Sequence, residues 1–235
     1  MTRRFSGTVL VATLALFTIA EPTRGASSHE GARQIVSASR STLARFLADP
    51  DTPTFRDHLR QATAVLIVPR RVRAGLIFGG SGGVGILVAR EPGSRDWSEP
   101  VFYNLGGASL GLQIGGDRSE LVLVMSKENA LDDFLSSRFQ LGGEIAVAAG
   151  PVGNGTGEQI GAPMVAFIRS KGLYAGASLD GTVVRPAGER NSAYYGRDVS
   201  PLDILVRRTV SSEESTGLQE DLARAVAFDP SPSRP

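Results

Sequence analysis

The chain of 235 residues is 41% hydrophobic and 21% charged, which suffices for one sizeable core and lies outside the composition of disordered chains. It contains no cysteine, excluding disulfides, thiolate metal sites and a lipid-modified cysteine. The formal charge is +1 and becomes −1 without residues 1–20, which carry Arg3 and Arg4 and no acidic residue, so no global field draws the chain to nucleic acid.

Arg3 and Arg4 precede an apolar run from Val9 to Ala20, the charged and hydrophobic parts of a secretory signal peptide. Residues 1–20 are read as that signal, with cleavage after Ala20 or as late as Ala26. A polar linker follows. Over residues 29–48, Ala32, Ile35, Val36, Leu43, Phe46 and Leu47 fall on one helical stripe, which predicts an amphipathic helix packed on its own domain or laid on a membrane. Thr52 and Pro53 read as the N-cap and first residue of a second short helix carrying Phe55, Leu59 and Ala62 inward. Residues 64–68 form an apolar run ended by Pro69, as in a buried strand.

Glycine then recurs among β-forming residues: Gly79, Gly80, Gly82, Gly83, Gly85, Gly111, Gly115 and Gly116 are read as structural glycines, in strands that bend, bulge or approach another backbone. Residues 80–85 satisfy G-x-G-x-x-G, but the residues after them suit a short strand and no helix, so the dinucleotide reading lacks its structural context. Residues 121–125 read as a strand and 127–135 as a helix started by Ser126. Further strands are expected at 142–149, 164–168, 173–178 and 182–184, with turns at Asn154-Gly155 and Ser170-Lys171-Gly172. A last helix is expected near 213–227, ahead of a disordered end. The sum is an α+β fold: N-terminal helices packed on a glycine-rich, curved antiparallel sheet or partly closed barrel. The main domain is placed at 29–210, with the C-terminal helix and tail at 211–235.

Catalytic chemistry finds little material. The two histidines, His29 and His58, sit in or beside the N-terminal helices and assemble neither a triad nor a multi-histidine metal site. Asp132-Asp133 and Glu213-Glu214 read as solvated helix faces. Residues 107–111 match G-x-S-x-G without the following helix or a histidine partner. No catalytic residue, metal or cofactor is assigned. Two binding constellations remain. Arg70, Arg71 and Arg73 set three guanidiniums beyond a strand, suited to phosphate oxygens; a solvated loop is the alternative. Trp97, the single tryptophan, stands beside Phe102 and Tyr103 and is read as a core residue or as an anchor at a lipid interface.

From about Ala32 to Tyr195 the sequence resembles the SYLF domain family. The resemblance rests on 64–69 (AVLIVP), 74–80 (AGLIFGG), Gly83-Val84-Gly85, Trp97-Ser98-x-Pro100-x-Phe102-Tyr103, 111–116 (GLQIGG), 121–125 and 172–176 (GLYAG). It implies a lipid-binding module, found in bacterial envelope proteins and in eukaryotic phosphoinositide- and actin-associated proteins. With an export signal in place of the eukaryotic context, the expected function is a non-enzymatic, exported, peripheral phospholipid-binding protein of the bacterial envelope, periplasmic or on its membranes. Anionic head groups would be met by Arg70, Arg71, Arg73 and Trp97. The alternative is a structural or scaffolding protein that binds another envelope protein; nucleic acid is not an expected partner.

Overall fold

A computed structural model describes residues 24–75, 78–110, 115–142, 145–148, 162–172, 179 and 181–227. Helix α1 (Arg24–Ala48) and the short α2 (Phe55–Arg60) lead into four long strands, β1 (Ala64–Gly75), β2 (Phe78–Ala89), β3 (Val101–Leu110) and β4 (Gly115–Met125). Then come α3 (Glu128–Leu135), β5 (Phe139–Gln140), β6 (Ile145–Ala148), β7 (Met164–Gly172) and β8 (Val183–Pro186). The chain closes with α4 (Gly188–Tyr195), α5 (Pro201–Leu205), a 3-10 turn over Glu213–Ser215, and α6 (Thr216–Ala227). The strands form one sheet in the order β5-β8-β3-β2-β1-β4-β7-β6. All its pairs are antiparallel except the edge pair β6–β7. The α+β class and the antiparallel sheet behind N-terminal helices are as expected.

The sheet is covered on both faces. Val65, Ile67, Ile86, Val88, Phe102, Val122, Val124 and Phe167 meet Val36, Leu43 and Phe46 of α1, Phe55 and Leu59 of α2, and Leu218 and Leu222 of α6. The alternate residues Leu66, Val68, Leu87, Tyr103, Leu121 and Leu123 meet Phe134 of α3 and Ile204 and Leu205 of α5. Burial on both sides is why residues 64–68 and 121–125 read as unbroken apolar runs rather than alternating ones. The α1 stripe also buries Ser39 and Thr42, polar positions that hydropathy alone leaves out. With its apolar stripe in the core, α1 packs on its own domain.

Several local expectations are corrected. Thr52 does not cap α2: its hydroxyl donates to the carbonyls of Phe46 and Asp49 (3.2 and 3.3 Å) and closes the end of α1, while Thr54 precedes α2. Ser126 does not cap α3, which starts after Lys127 without a side-chain cap. The expected turn at 170–172 is strand, because β7 continues alongside β4 to Gly172. Helix α4 lies where no helix is expected, and Asn191 on it secures its place. Its Oδ1 accepts from the Phe102 N–H (2.8 Å) and its Nδ2 donates to the Phe102 carbonyl (3.3 Å), just beyond the stretch of β3 that pairs with β8. The expected signal segment, the Asn154-Gly155 turn, the 173–178 strand and the C-terminal end lie outside the described residues. Helix α6 shares the core of α1, so no packing boundary separates 211–227 from the domain.

Pro69 sits inside β1, a central strand, where it supplies no N–H to the ladder. The chain accommodates it with a β-bulge. On the β2 side the register jumps from Ile67↔Ile86 to Arg70↔Val84, leaving Val68 and Pro69 opposite Gly85. On the β4 side it jumps from Val68↔Leu121 to Arg71↔Ser119, leaving Pro69 and Arg70 opposite Glu120. A bulge reverses which residues of a strand face which side. Beyond it Arg70 and Val72 look toward the helical layer of α1, where odd-numbered positions looked before.

Candidate functional site

At the bulge the helical layer ends and a cleft of about 730 Å³ opens. The end of α1 and its following turn form one wall, with Arg45, Asp49, Asp51 and Thr52. Strands β1, β4 and β7 form the other, with Pro69, Arg70, Arg118, Glu120 and Arg169. Glu120 is the hub. Its carboxylate accepts from Thr42 Oγ1 (3.1 Å), Arg45 Nε (2.9 Å) and Arg169 Nη1 (3.2 Å). Arg169 Nε also pairs with Asp49 (2.7 Å), and its guanidinium lies 6.0 Å from the centre of the Phe46 ring, within cation–π range. Burial pushes the Glu120 carboxyl up, but the hydrogen bond and charge of Arg45, the Thr42 hydroxyl and the charge of Arg169 outweigh it and hold it below the usual carboxylate range. The network joins α1 to β4 and β7 at the open end of the sheet.

Two guanidiniums on the strand wall are left over. Among the described residues, Arg70 and Arg118 have neither ion pair nor hydrogen bond, and both side chains are exposed. Free arginines on a fixed strand wall are suited to bidentate capture of phosphate or carboxylate oxygens. Val72 pairs with Arg118 across β1 and β4 and is 39% exposed, placing an apolar side chain beside them.

The three arginines singled out in the sequence do not act together. Arg71 pairs with Ser119 and Gly83 on the opposite face, is 2% exposed, and donates to Ser81 Oγ (3.3 Å). Arg73, opposite Ser81 in the ladder, shares that face. Trp97 is 4% exposed and belongs to the core between sheet and α1, where its Nε1 has no hydrogen-bond partner among the described residues. It is a packing residue in this conformation and shares no surface with Arg70. Nothing in the sequence reading pointed to Arg45, Asp49, Arg118, Glu120 or Arg169. A usable signal existed: Arg118, Glu120, Val122 and Val124 alternate on one strand face, as do Val165, Phe167 and Arg169, so each charged residue extends an otherwise buried row.

The glycines divide. An added Cβ at Gly83 would lie 2.9 Å from the Arg70 carbonyl, and at Gly85 2.7 Å from the Ile67 carbonyl and from Val68 Cγ2. Gly80 and Gly82 have nothing nearer than 3.8 Å. Gly79, Gly115 and Gly116 lie in strands, and Gly111 lies outside the described residues. Residues 80–85 are internal to β2, so no helix receives a pyrophosphate there.

The histidines serve packing. His29 stacks on Tyr194 (6.0 Å between ring centres) and His58 meets the edge of Phe167 (5.6 Å). Among the described residues there is no group of three or more metal-ligating side chains, and no helix long and apolar enough to cross a membrane. Glu214 is held by Arg33 (2.7 Å), a structural contact.

The family described as Ysc84, Las17-binding protein actin regulator, matches residues 106–225. The SH3 domain-containing YSC84-like protein 1 of Xenopus laevis is 34% identical over 69% of this chain, and that of Homo sapiens 32% identical over 64%. The protein YSC84 of Saccharomyces cerevisiae is 30% identical over 69%. The chain spans 49%, 45% and 36% of the length of these three relatives.

Proposed function

The chain belongs to the Ysc84 family, the same domain as SYLF, and from that premise we propose that it is a non-enzymatic, peripheral phospholipid-binding protein whose head-group site is the cleft at the β1 bulge. The family description names a binding protein and regulator rather than a reaction, and the cleft presents guanidinium donors suited to an anionic ligand. The observation that carries the reading is the pair Arg70 and Arg118, exposed on one strand wall and without ion pair or hydrogen bond among the described residues, with exposed Val72 beside them. Cation plus apolar contact is the combination that holds proteins on anionic bilayers.

Vesicle co-sedimentation tests it. Each basic residue near an anionic surface contributes about 1 kcal/mol, so Arg70→Gln with Arg118→Gln should weaken binding to phosphatidylglycerol vesicles roughly thirtyfold. Arg73→Gln, on the opposite face, serves as the matched control. Equal binding by wild type and double variant would remove the cleft from lipid binding.

We propose further that the protein acts outside the cytoplasm of a bacterium, on the strength of Arg3, Arg4 and the apolar run from Val9 to Ala20. N-terminal sequencing of the envelope fraction should find a start between residues 21 and 27; an intact Met1 in a cytosolic pool would refute export. A second reading, a scaffold for another envelope protein, draws on the protein partner named in the family description. A pull-down that survives detergent and the loss of Arg70 and Arg118 would favour it.

A further inference from the structure

The cleft is not uniformly basic. Arg45, Arg70, Arg118 and Arg169 line it with Asp49, Asp51 and Glu120, four guanidiniums against three carboxylates. Such a balance generates little long-range attraction for anions in general, so selectivity must come from directed contacts. Arg45, Arg169, Asp49 and Glu120 are committed to one another. The groups left over are Arg70 and Arg118 on the strand wall and the carboxylate of Asp51 on the turn after α1. Asp51 donates its backbone N–H to Asp49 (3.0 Å), and among the described residues its exposed side chain pairs with no cation.

A ligand carrying phosphate alone would satisfy the arginines and leave a carboxylate facing an anion. One carrying phosphate and a neighbouring donor would satisfy all three groups, since an ionised carboxylate only accepts hydrogen bonds. We propose that the cleft selects phosphate head groups that also bear a hydroxyl or ammonium donor, with Arg70 and Arg118 on the phosphate oxygens and Asp51 on the donor. The proposal rests on the reading of the cleft as a head-group site and names the head-group class. About 730 Å³ lies within the range of small-ligand sites.

The experiment compares vesicles containing phosphatidylglycerol, which has the donor, with vesicles containing phosphatidylmethanol, an anionic phosphodiester whose methyl cap carries none, at matched surface potential. The unsubstituted chain should prefer phosphatidylglycerol at least fivefold. Asp51→Ala should weaken phosphatidylglycerol binding and strengthen phosphatidylmethanol binding, so that the two converge; thermal melts of this exposed-turn variant verify folding. Equal binding of both lipids by the unsubstituted chain, or an Asp51→Ala effect of the same sign on both, would overturn the inference and leave a generic anion site. Binding to neither vesicle would overturn the phospholipid reading itself. Calorimetry with soluble glycerophosphoglycerol separates the sources: affinity equal to that for vesicles, lost in Asp51→Ala, would keep the head-group inference while assigning it to a free ligand.

Discussion

Gly85 faces the two residues of the β1 bulge, and the bulged backbone leaves no room for a side chain there. A Cβ would press on the Ile67 carbonyl and a Val68 methyl, both at 2.7 Å. Gly85→Ala should therefore lower stability by about 2–3 kcal/mol. Three residues away, Gly82 meets only the Leu105 carbonyl at 3.8 Å, an ordinary contact. Gly82→Ala should leave stability unchanged or raise it by about 0.5 kcal/mol through the unfolded chain. Urea midpoints of the two variants check the contrast, and equal losses would contradict the geometry. His58 contributes a pH dependence of definite sign. Burial against Phe167 lowers its pKa from 6.5, opposed weakly by Asp57. The folded state thus favours neutral imidazole: this contribution is fully present above pH 6.5 and declines below it, until the pH passes the lowered folded value. Melts at pH 7.5 and 5.5 should show the decline, and His58→Gln should reduce it.

Among the elements, the C-terminal turn and α6 depend on Glu99. Its carboxylate accepts from the Ser212 N–H (3.1 Å) and the Ser215 hydroxyl, and Gln219 Nε2 donates to the Trp97 carbonyl beside it (3.2 Å). Tyr195 Oη donates to the Pro100 carbonyl (2.6 Å), so the 97–100 segment fastens both α4 and α6. Burial pushes Glu99 above the usual carboxylate range, against the opposing bonds from Ser215, Ser212 and Gln219. Glu99→Ala would remove the acceptor of the part-buried Ser212 N–H and leave the Ser215 hydroxyl only the Ser212 carbonyl (2.8 Å), and should cost about 2 kcal/mol. Faster amide exchange across 212–222, with β1–β4 still protected, is the expected signature. Uniform exchange throughout would show that the latch is not local.

At the scale of the molecule, α6 is a wall of the core. Leu218 and Leu222 are 1% and 0% exposed, and Arg33–Glu214 and Arg40–Asp221 join this segment to α1. Removing residues 211–235 exposes the apolar face beneath and forfeits about 2 kcal/mol for each leucine, a large part of the 5–15 kcal/mol of a typical domain. Chains ending at 210 should unfold at markedly lower temperature, or without cooperativity, compared with chains ending at 227. Identical melting would make α6 an appendage, as the 29–210 boundary supposes.

Legibility followed the range of the forces involved. The α1 stripe, the apolar runs of β1 and β4, and the last helix were readable because local periodicity reports burial directly. Helix α4 was not, since its place is secured by Asn191 bonding to Phe102, 89 positions away. The triplet Arg70, Arg71 and Arg73 was visible, yet which of them reaches the cleft is decided by a bulge at Pro69 that exists only in pairing with β2 and β4. Trp97 was visible too, and its fate was set by α1 and α6 closing over it. Composition, missing cysteine and the pattern of glycine and apolar runs are properties of single segments, so they constrain class and family before folding. The cleft joins residues as distant as Arg45 and Arg169, and no local pattern encodes that meeting: long-range strand register and helix packing bring them together.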